Sequence, residues 1–278
     1  YITGHVGQGM GNERMETIGY DVTDELEPHG DNGNFHGDYI SIKNRTKLPP
    51  DNPKRMASLR KSSVDFVNAH SGKRPFLMMV SHYAVHVPHA ARADLIEKYR
   101  KLPRGKFLTD SDYLPVDEMP KGKVISSWRL QYAAMLEECD EGLGAIVAAL
   151  KKTGQLDNTL IIFTSDNGGG LGPNGILRGG KANLYEGGLR VPFGVAGPGV
   201  KAGAQCDVPV SQWDLLPTLH DYAKSAQSLP KDLDGASLRG VFEQGNAGGV
   251  NRPVEGFVFH YPCYFAAPLT VIRVGAYK

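Results

Sequence analysis

Three short segments hold the side chains whose types and spacing suit chemistry. Thr159-Leu-Ile-Ile-Phe-Thr-Ser-Asp-Asn-Gly168 runs from an apolar strand pattern into Asp166 and Asn167, and glycines follow to Gly170. A carboxylate beside a side-chain carbonyl suits a hard cation such as calcium or magnesium. The place is apt, because open α/β sheets bind ligands beyond the carboxyl ends of their strands. Glycines there let backbone approach a ligand closely. Asp-Asn-Gly is also a common turn former, and from these residues alone the two readings stand level. Ser81-His-Tyr-Ala-Val-His-Val-Pro-His89 follows another apolar run. On a helix, His82, His86 and His89 would resemble a zinc site. Pro88 and the preceding strand oppose a helix, so these histidines suit hydrogen bonding to an anion, protonation of a leaving group, or plain structural roles. Arg178-Gly-Gly-Lys-Ala-Asn-Leu-Tyr-Glu-Gly-Gly-Leu-Arg-Val-Pro192 places Lys181 in a glycine-rich loop, where an ammonium can reach an anionic oxygen. Glu186 and Arg190 read as a structural ion pair. Glu137 to Glu141 looks like a catalytic carboxylate cluster but reads as the solvated face of a helix around a buried Cys139.

The elements that position these segments alternate between helix and strand. Met56, Leu59, Val64 and Val67 recur at helical spacing and end near Gly72, and the apolar run Pro75–Ser81 then reads as a buried strand. Trp128, Tyr132, Met135, Cys139, Leu143, Ile146 and Leu150 share one face of the strongest helix, closed by Lys151, Lys152 and Gly154. Thr159–Thr164 is a second buried strand and Arg190–Ala196 a further candidate. Ser211-Gln-Trp-Asp214 is a capping box opening a helix through Tyr222. Phe257–His260 and Leu269–Val274 read as late strands, as in an antiparallel edge. Residues 1–53 and 103–125 read as irregular. The alternation predicts an α/β fold with a mostly parallel central sheet flanked by helices.

Composition excludes several alternatives. The 278 residues carry 31 Lys plus Arg against 30 Asp plus Glu, a formal charge of +1 that gives no field for nucleic acid or anionic membrane, so anion recognition must be local. At 41% hydrophobic and 22% charged the chain reads as globular. No apolar run is long enough to span a bilayer. Cys139, Cys206 and Cys263 are too few and too scattered for a disulfide scaffold and read as buried or semi-buried thiols.

Ser-Asp-Asn-Gly-Gly after a strand, the histidine segment before it and Gly-Gly-Lys…Tyr-Glu-Gly-Gly-Leu-Arg-Val-Pro after it, in this order, resemble the type I sulfatases of the alkaline phosphatase superfamily. The helix Tyr132–Leu150 and the strand before the histidines match as well, so the resemblance covers nearly the whole chain. It implies a metal-dependent sulfuric ester hydrolase acting on aryl or carbohydrate sulfates. Asp166 and Asn167 correspond to the family's metal ligands, with Ca2+ expected and Mg2+ the alternative. Lys181 corresponds to the lysine that contacts sulfate, and His86 to the histidine beside the leaving-group oxygen. His5, in Gly4-His5-Val6-Gly7, matches the histidine of the family's GKWHxG motif. His260 lies by analogy near the mouth of the site, as a substrate-binding residue or an edge-strand residue. The family's nucleophile is a formylglycine made from the cysteine of C-x-[PAS]-x-R. None of the three cysteines here lies in that motif, and the paired aspartates that complete the metal site are absent. The resemblance therefore implies a chain truncated at both ends and inactive alone. Residues 1–245 would be a partial catalytic domain and 246–278 the start of a C-terminal subdomain, with export possible by analogy. A phosphonate monoester hydrolase or phosphodiesterase of the same superfamily, and a non-catalytic remnant that binds sulfated ligands, are the alternatives.

Overall fold

The computed structural model describes residues 1–9, 15–24, 48–87, 89–101, 125–170, 174–262 and 268–278, with side chains in the long helix from 129 onward. They divide into two compact units, Tyr1–Asp157 and Asn158–Lys278.

The first unit holds a parallel three-stranded sheet in the order β2-β1-β3, built from β1 (Ile2–Gly7), β2 (Val22–Thr23) and β3 (Phe76–Ser81). Residues 1–53 are thus not wholly irregular, because β1 is the central strand and pairs from Ile2↔Phe76 to Gly7↔Ser81. Its sequence hides this, since a parallel strand buried on both faces, as His5 to Gly7 are, need not alternate polar and apolar residues, and its two glycines read as loop. Both have a packing reason. A Cβ on Gly4 would lie 2.5 Å from the Phe66 ring, and Gly7 has φ +105° with its missing Cβ directed at the Ser81 carbonyl. Helix α1 (Met56–His70) forms where expected, and an unexpected short helix, α2 (Ala93–Arg100), follows the histidine segment. Both pack on α3 (Ile125–Lys152). Val6, Met56, Leu59, Tyr83 and Cys139 form one buried cluster joining β1, α1, α3 and the turn after β3. Burial of each such aliphatic side chain contributes about 1.5–3 kcal/mol. Against expectation, β3 is only half buried, with Leu77 38% and Met79 49% exposed. The expected polar loop of 103–125 falls outside the described residues except for Ile125, which opens α3.

In the second unit β4 (Ile161–Thr164) pairs antiparallel with β5 (Phe193–Ala196), and α4 (Glu186–Leu189) is a single turn just before β5. The expected strand from Arg190 therefore starts later, and β4 too is half buried, with Phe163 44% exposed. A 3-10 turn over Gln212–Asp214 leads into α5 (Leu215–Tyr222), and Ser211 N–H donates to the Asp214 carboxylate at 2.8 Å as a capping box requires. After α6 (Arg239–Gln244), β6 (Phe257–Tyr261) and β7 (Leu269–Arg273) form the expected antiparallel pair. The Trp213 indole stacks on Phe257 and Phe259 of β6 at 5.7 and 6.0 Å between ring centroids. Cys139 is buried as expected, and burial pushes its thiol up to about 12, which makes it inert. Cys206 is exposed, contrary to expectation, because it lies in the polar loop after β5. Cys263 lies outside the described residues.

Candidate functional site

In the first unit the chemistry-bearing residues gather at the carboxyl ends of β1 and β3. His5 is buried within β1, its Nε2 3.3 Å from the Ser81 hydroxyl on the paired strand and its ring 5.2 Å from that of Tyr20. The parallel register dictates this meeting, since Val6 pairs with Val80 and Gly7 with Ser81. After β3 the chain turns without forming a helix, and the His86 backbone N–H donates to the Tyr83 carbonyl at 3.2 Å. His86 Nδ1 lies 2.7 Å from the Val87 carbonyl. A carbonyl only accepts, so Nδ1 carries the proton and a neutral His86 turns the lone pair of Nε2 outward. His82 packs inward, with its Cε1 3.7 Å from where a Cβ on Gly142 would stand, and its Nδ1 is buried with no hydrogen-bond partner among the described residues. Burial holds its pKa below the usual histidine range. The His89 pKa is also lowered, first by burial and then by the charge of Lys54. Among the described residues no group of three or more His, Cys, Asp or Glu could hold a metal, so the three histidines do not form the zinc cluster that a helix would have made.

Sequence reasoning missed the residues beneath this loop. Lys54 is fully buried, and burial pushes its pKa down to about 8. Arg55 pairs with Asp24 at 3.1 Å, reaches the Tyr83 hydroxyl at 3.4 Å and faces the Tyr83 ring. Lys54 and Arg55 have φ of 52° and 57°, a left-handed conformation that costs non-glycine residues roughly 1–3 kcal/mol each. Nothing in Pro53-Lys-Arg55 announces that two cations turn inward.

The second unit carries Asp166, Asn167 and Lys181 on two loops braced against each other. Asp166 is exposed, and its Oδ1 accepts the Asn167 N–H at 2.9 Å. The Ser165 hydroxyl donates to the Asn167 carbonyl at 3.1 Å, and the Gln212 amide donates to the Ser165 carbonyl at 2.7 Å. Gly168 N–H donates to Gly188 O and Lys181 N–H to Gly169 O, both at 3.0 Å. The glycines here serve contact between loops: a Cβ on Gly168 would stand 1.9 Å from the Gly187 carbonyl oxygen, and one on Gly188 2.1 Å from that of Asn183. Asp166 and Asn167 offer oxygen donors only, which fits a hard cation, and they supply two of the roughly 6–8 oxygens such an ion takes. Glu186 is a structural hub, as its pairing with Arg190 predicts. It meets Arg190 at 3.0 Å and also Lys278 at 2.8 Å and Arg273 at 3.8 Å. These cations, the Lys278 hydrogen bond foremost, hold its carboxyl below the usual range. His260 stands exposed on β6 with Nδ1 2.6 Å from the Thr270 hydroxyl on β7.

The carboxylate cluster on α3 divides. Glu141 pairs with Arg60 and Arg92, each at 2.8 Å, and Glu137 with Lys98 at 2.5 Å. Glu138 is buried, which corrects the reading of a wholly solvated face.

The sulfatase family model matches residues 18–225. Choline-sulfatase of Rhizobium meliloti (strain 1021) is 32% identical over 230 residues, which is 76% of this chain and 43% of that protein. Steryl-sulfatase of Rattus norvegicus is 38% identical over 142 residues, 47% of this chain and 24% of that protein. The crystal structure of Ps i-CgsB, which has also been solved in complex with k-i-k-neocarrahexaose, superposes with a TM-score of 0.73 at 25% identity, over 99% of this chain and 61% of that one. The chain spans less than half the length of these two curated relatives.

Proposed function

The chain belongs to the sulfatase family, and from that membership and the chemistry of its strand ends we propose that it forms part of a hydrolase of aryl or carbohydrate sulfate esters. The observation that carries the reading is the braced loop pair that sets Asp166 and Asn167 beside the Lys181 loop. Asp166 and Asn167 would hold a divalent cation, calcium by preference and magnesium as the alternative. Such an ion, together with the family's formylglycine, supplies the charge stabilisation and the attacking oxygen. Lys181 binds a sulfuryl oxygen through its ammonium. His86 holds or donates a proton at Nε2 beside the leaving-group oxygen, after taking one up from solvent. His5, held by the Ser81 hydroxyl, is a further catalytic candidate, and His260 on β6 offers a substrate contact. The substrate class rests on relatives whose names and ligands include choline, steryl and carbohydrate groups. The division into a partial catalytic domain, 1–245, and a C-terminal subdomain beginning at 246 belongs to the same proposal.

Two oxygen ligands make a weak site. Calcium chloride is expected to bind in the millimolar range of weak oxygen sites and to shift the amide resonances of residues 165–168. Asp166→Ala is expected to weaken that binding by about tenfold or more, since it removes the one carboxylate. Tight calcium binding that survives Asp166→Ala would overturn the assignment. For the whole protein, an aryl sulfate is expected to turn over faster than the matching aryl phosphate. Preference for the phosphate would make it a phosphonate or phosphodiester hydrolase, and binding without turnover of either would make it a ligand-binding remnant.

A further inference from the structure

Asn174 has no part in the site just proposed, yet its side chain joins the two loops that form it. Its Nδ2 donates to the Gly179 carbonyl at 2.7 Å and to the Gly169 carbonyl at 3.3 Å. Gly169 follows the Asp166–Asn167 pair by two residues, and Gly179 precedes Lys181 by two. Both protons of one NH2 group are thus directed at carbonyls on different loops. The amide sits in a close-fitting cradle: a Cβ on Gly169 would lie 2.5 Å from Asn174 Oδ1, and one on Gly180 3.2 Å from Nδ2. The backbone of Asn174 is fixed in turn, because its carbonyl accepts the Leu177 N–H at 3.1 Å within a small antiparallel bridge. The Gly169 carbonyl also accepts the Lys181 N–H, so one oxygen receives a bond from each side of the junction. Asparagine suits this place because it donates twice without charge, whereas a carboxylate of the same shape would turn acceptor oxygens toward two carbonyls.

We propose that Asn174 is a positioning residue that couples the Asp166–Asn167 loop to the Lys181 loop, so that cation and sulfate bind as a linked pair. This rests on the reading of Asp166, Asn167 and Lys181 given above. If the loops move as one body, a cation that orders residues 165–169 also fixes the reach of Lys181, and binding of either ligand favours the other by the same factor. An anion seated on Lys181 should strengthen the cation site equally.

The test uses the 15N-labelled chain, its Asn174→Ala and Asn174→Asp variants, calcium chloride and sodium sulfate. Without ligands, amide exchange at Lys181, whose N–H is bonded to Gly169 O, is expected to quicken by about tenfold in both variants, while the β4–β5 ladder keeps its protection. With ligands, saturating calcium is expected to tighten sulfate binding about fivefold or more in the parent chain and less than twofold in the variants. A merely structural asparagine would leave that linkage unchanged once the ladder is intact. Should Asn174→Ala loosen the ladder as well, Asn174→Ser, which keeps one donor, is expected to give an intermediate exchange rate and an intermediate linkage. Calcium that leaves residues 165–168 of the parent chain unshifted would remove the cation reading, and coupling would then be decided by exchange at Lys181. Unchanged exchange there, or a calcium–sulfate linkage that survives in the variants, overturns the proposal.

Discussion

Replacing Arg252 by methionine is expected to cost the second unit about 3–5 kcal/mol of stability, the usual penalty for leaving a buried charge without its partner. Asp214 is fully buried, and the Arg252 guanidinium grips it bidentately, Nε to Oδ1 at 2.9 Å and Nη2 to Oδ2 at 2.6 Å. The other bonds to this carboxylate come from the backbone N–H groups of Ser211, at 2.8 Å, and Ala236, at 3.1 Å. Those two donors do not offset the loss of a full positive charge. Arg252 also donates to the Pro209 carbonyl at 3.1 Å and lies 4.6 Å over the Phe257 ring, so the variant loosens β6 as well. A domain is stable by only about 5–15 kcal/mol in total, and the loss should lower the melting temperature by roughly 10 °C or more. Arg252→Lys keeps the charge without the planar fork and should fall between. Denaturant unfolding of the three proteins checks this, and a loss below about 1 kcal/mol would show that Asp214 is neutral or solvated in the fold.

That effect reaches the functional loops by a short route. Gln212, two residues before Asp214, donates to the Ser165 carbonyl at the foot of the Asp166–Asn167 loop. The capping box that anchors α5 therefore also holds the strand end of β4. Ser211 and Asp214 were legible in the sequence as a cap, because a Ser followed three residues later by an acid before an apolar run has a local cause. Gln212 was not legible, since nothing local tells which carbonyl an exposed glutamine will find.

The same distinction governs the rest of the chain. Asp166, Asn167 and His86 stood out because each follows a strand and carries a chemically useful group, and Lys181 because it is a cation in a glycine-rich loop. β1 did not, because Gly4 and Gly7 erase the strand pattern for reasons lying in distant residues, Phe66 and Ser81. Asn174 in Pro-Asn-Gly reads as turn chemistry, and its second use, spanning two loops, exists only once they are folded. The burial of Glu138 left a faint trace: on a helix it shares a stripe with Met135 and Gly142, both buried, and a glycine mid-helix marks a close approach, here by His82.

Glu138 supplies the second large effect, which depends on pH. Its Oε2 is buried with no hydrogen-bond partner among the described residues, and burial pushes its pKa up to about 7, a rise that Arg92 opposes and that Glu141 and Asp94 reinforce. In the unfolded chain this group titrates near the ordinary glutamate value of about 4.3. Below that pH both states are protonated and the favourable contribution is fully present. As pH rises toward 7 the unfolded chain gives up a proton that the folded chain retains, so stability falls, and the loss is complete above the folded pKa. Allowing for residual screening by solvent, it amounts to about 2–3 kcal/mol by pH 8. Glu138→Gln cannot ionise and escapes this loss. The expected result is that the stability of Glu138→Gln relative to the parent rises by about 1.5–2 kcal/mol between pH 5 and pH 8, since part of the loss already falls below pH 5, measured by urea unfolding at each pH. His82 and His89, whose pKa values are lowered first of all by burial, are present in both proteins and cancel in the difference. A relative stability that does not change with pH would mean that water reaches Glu138 in the folded chain. A rise would show that the docking of α3 behind the histidine segment weakens as the pH increases from 5 to 8.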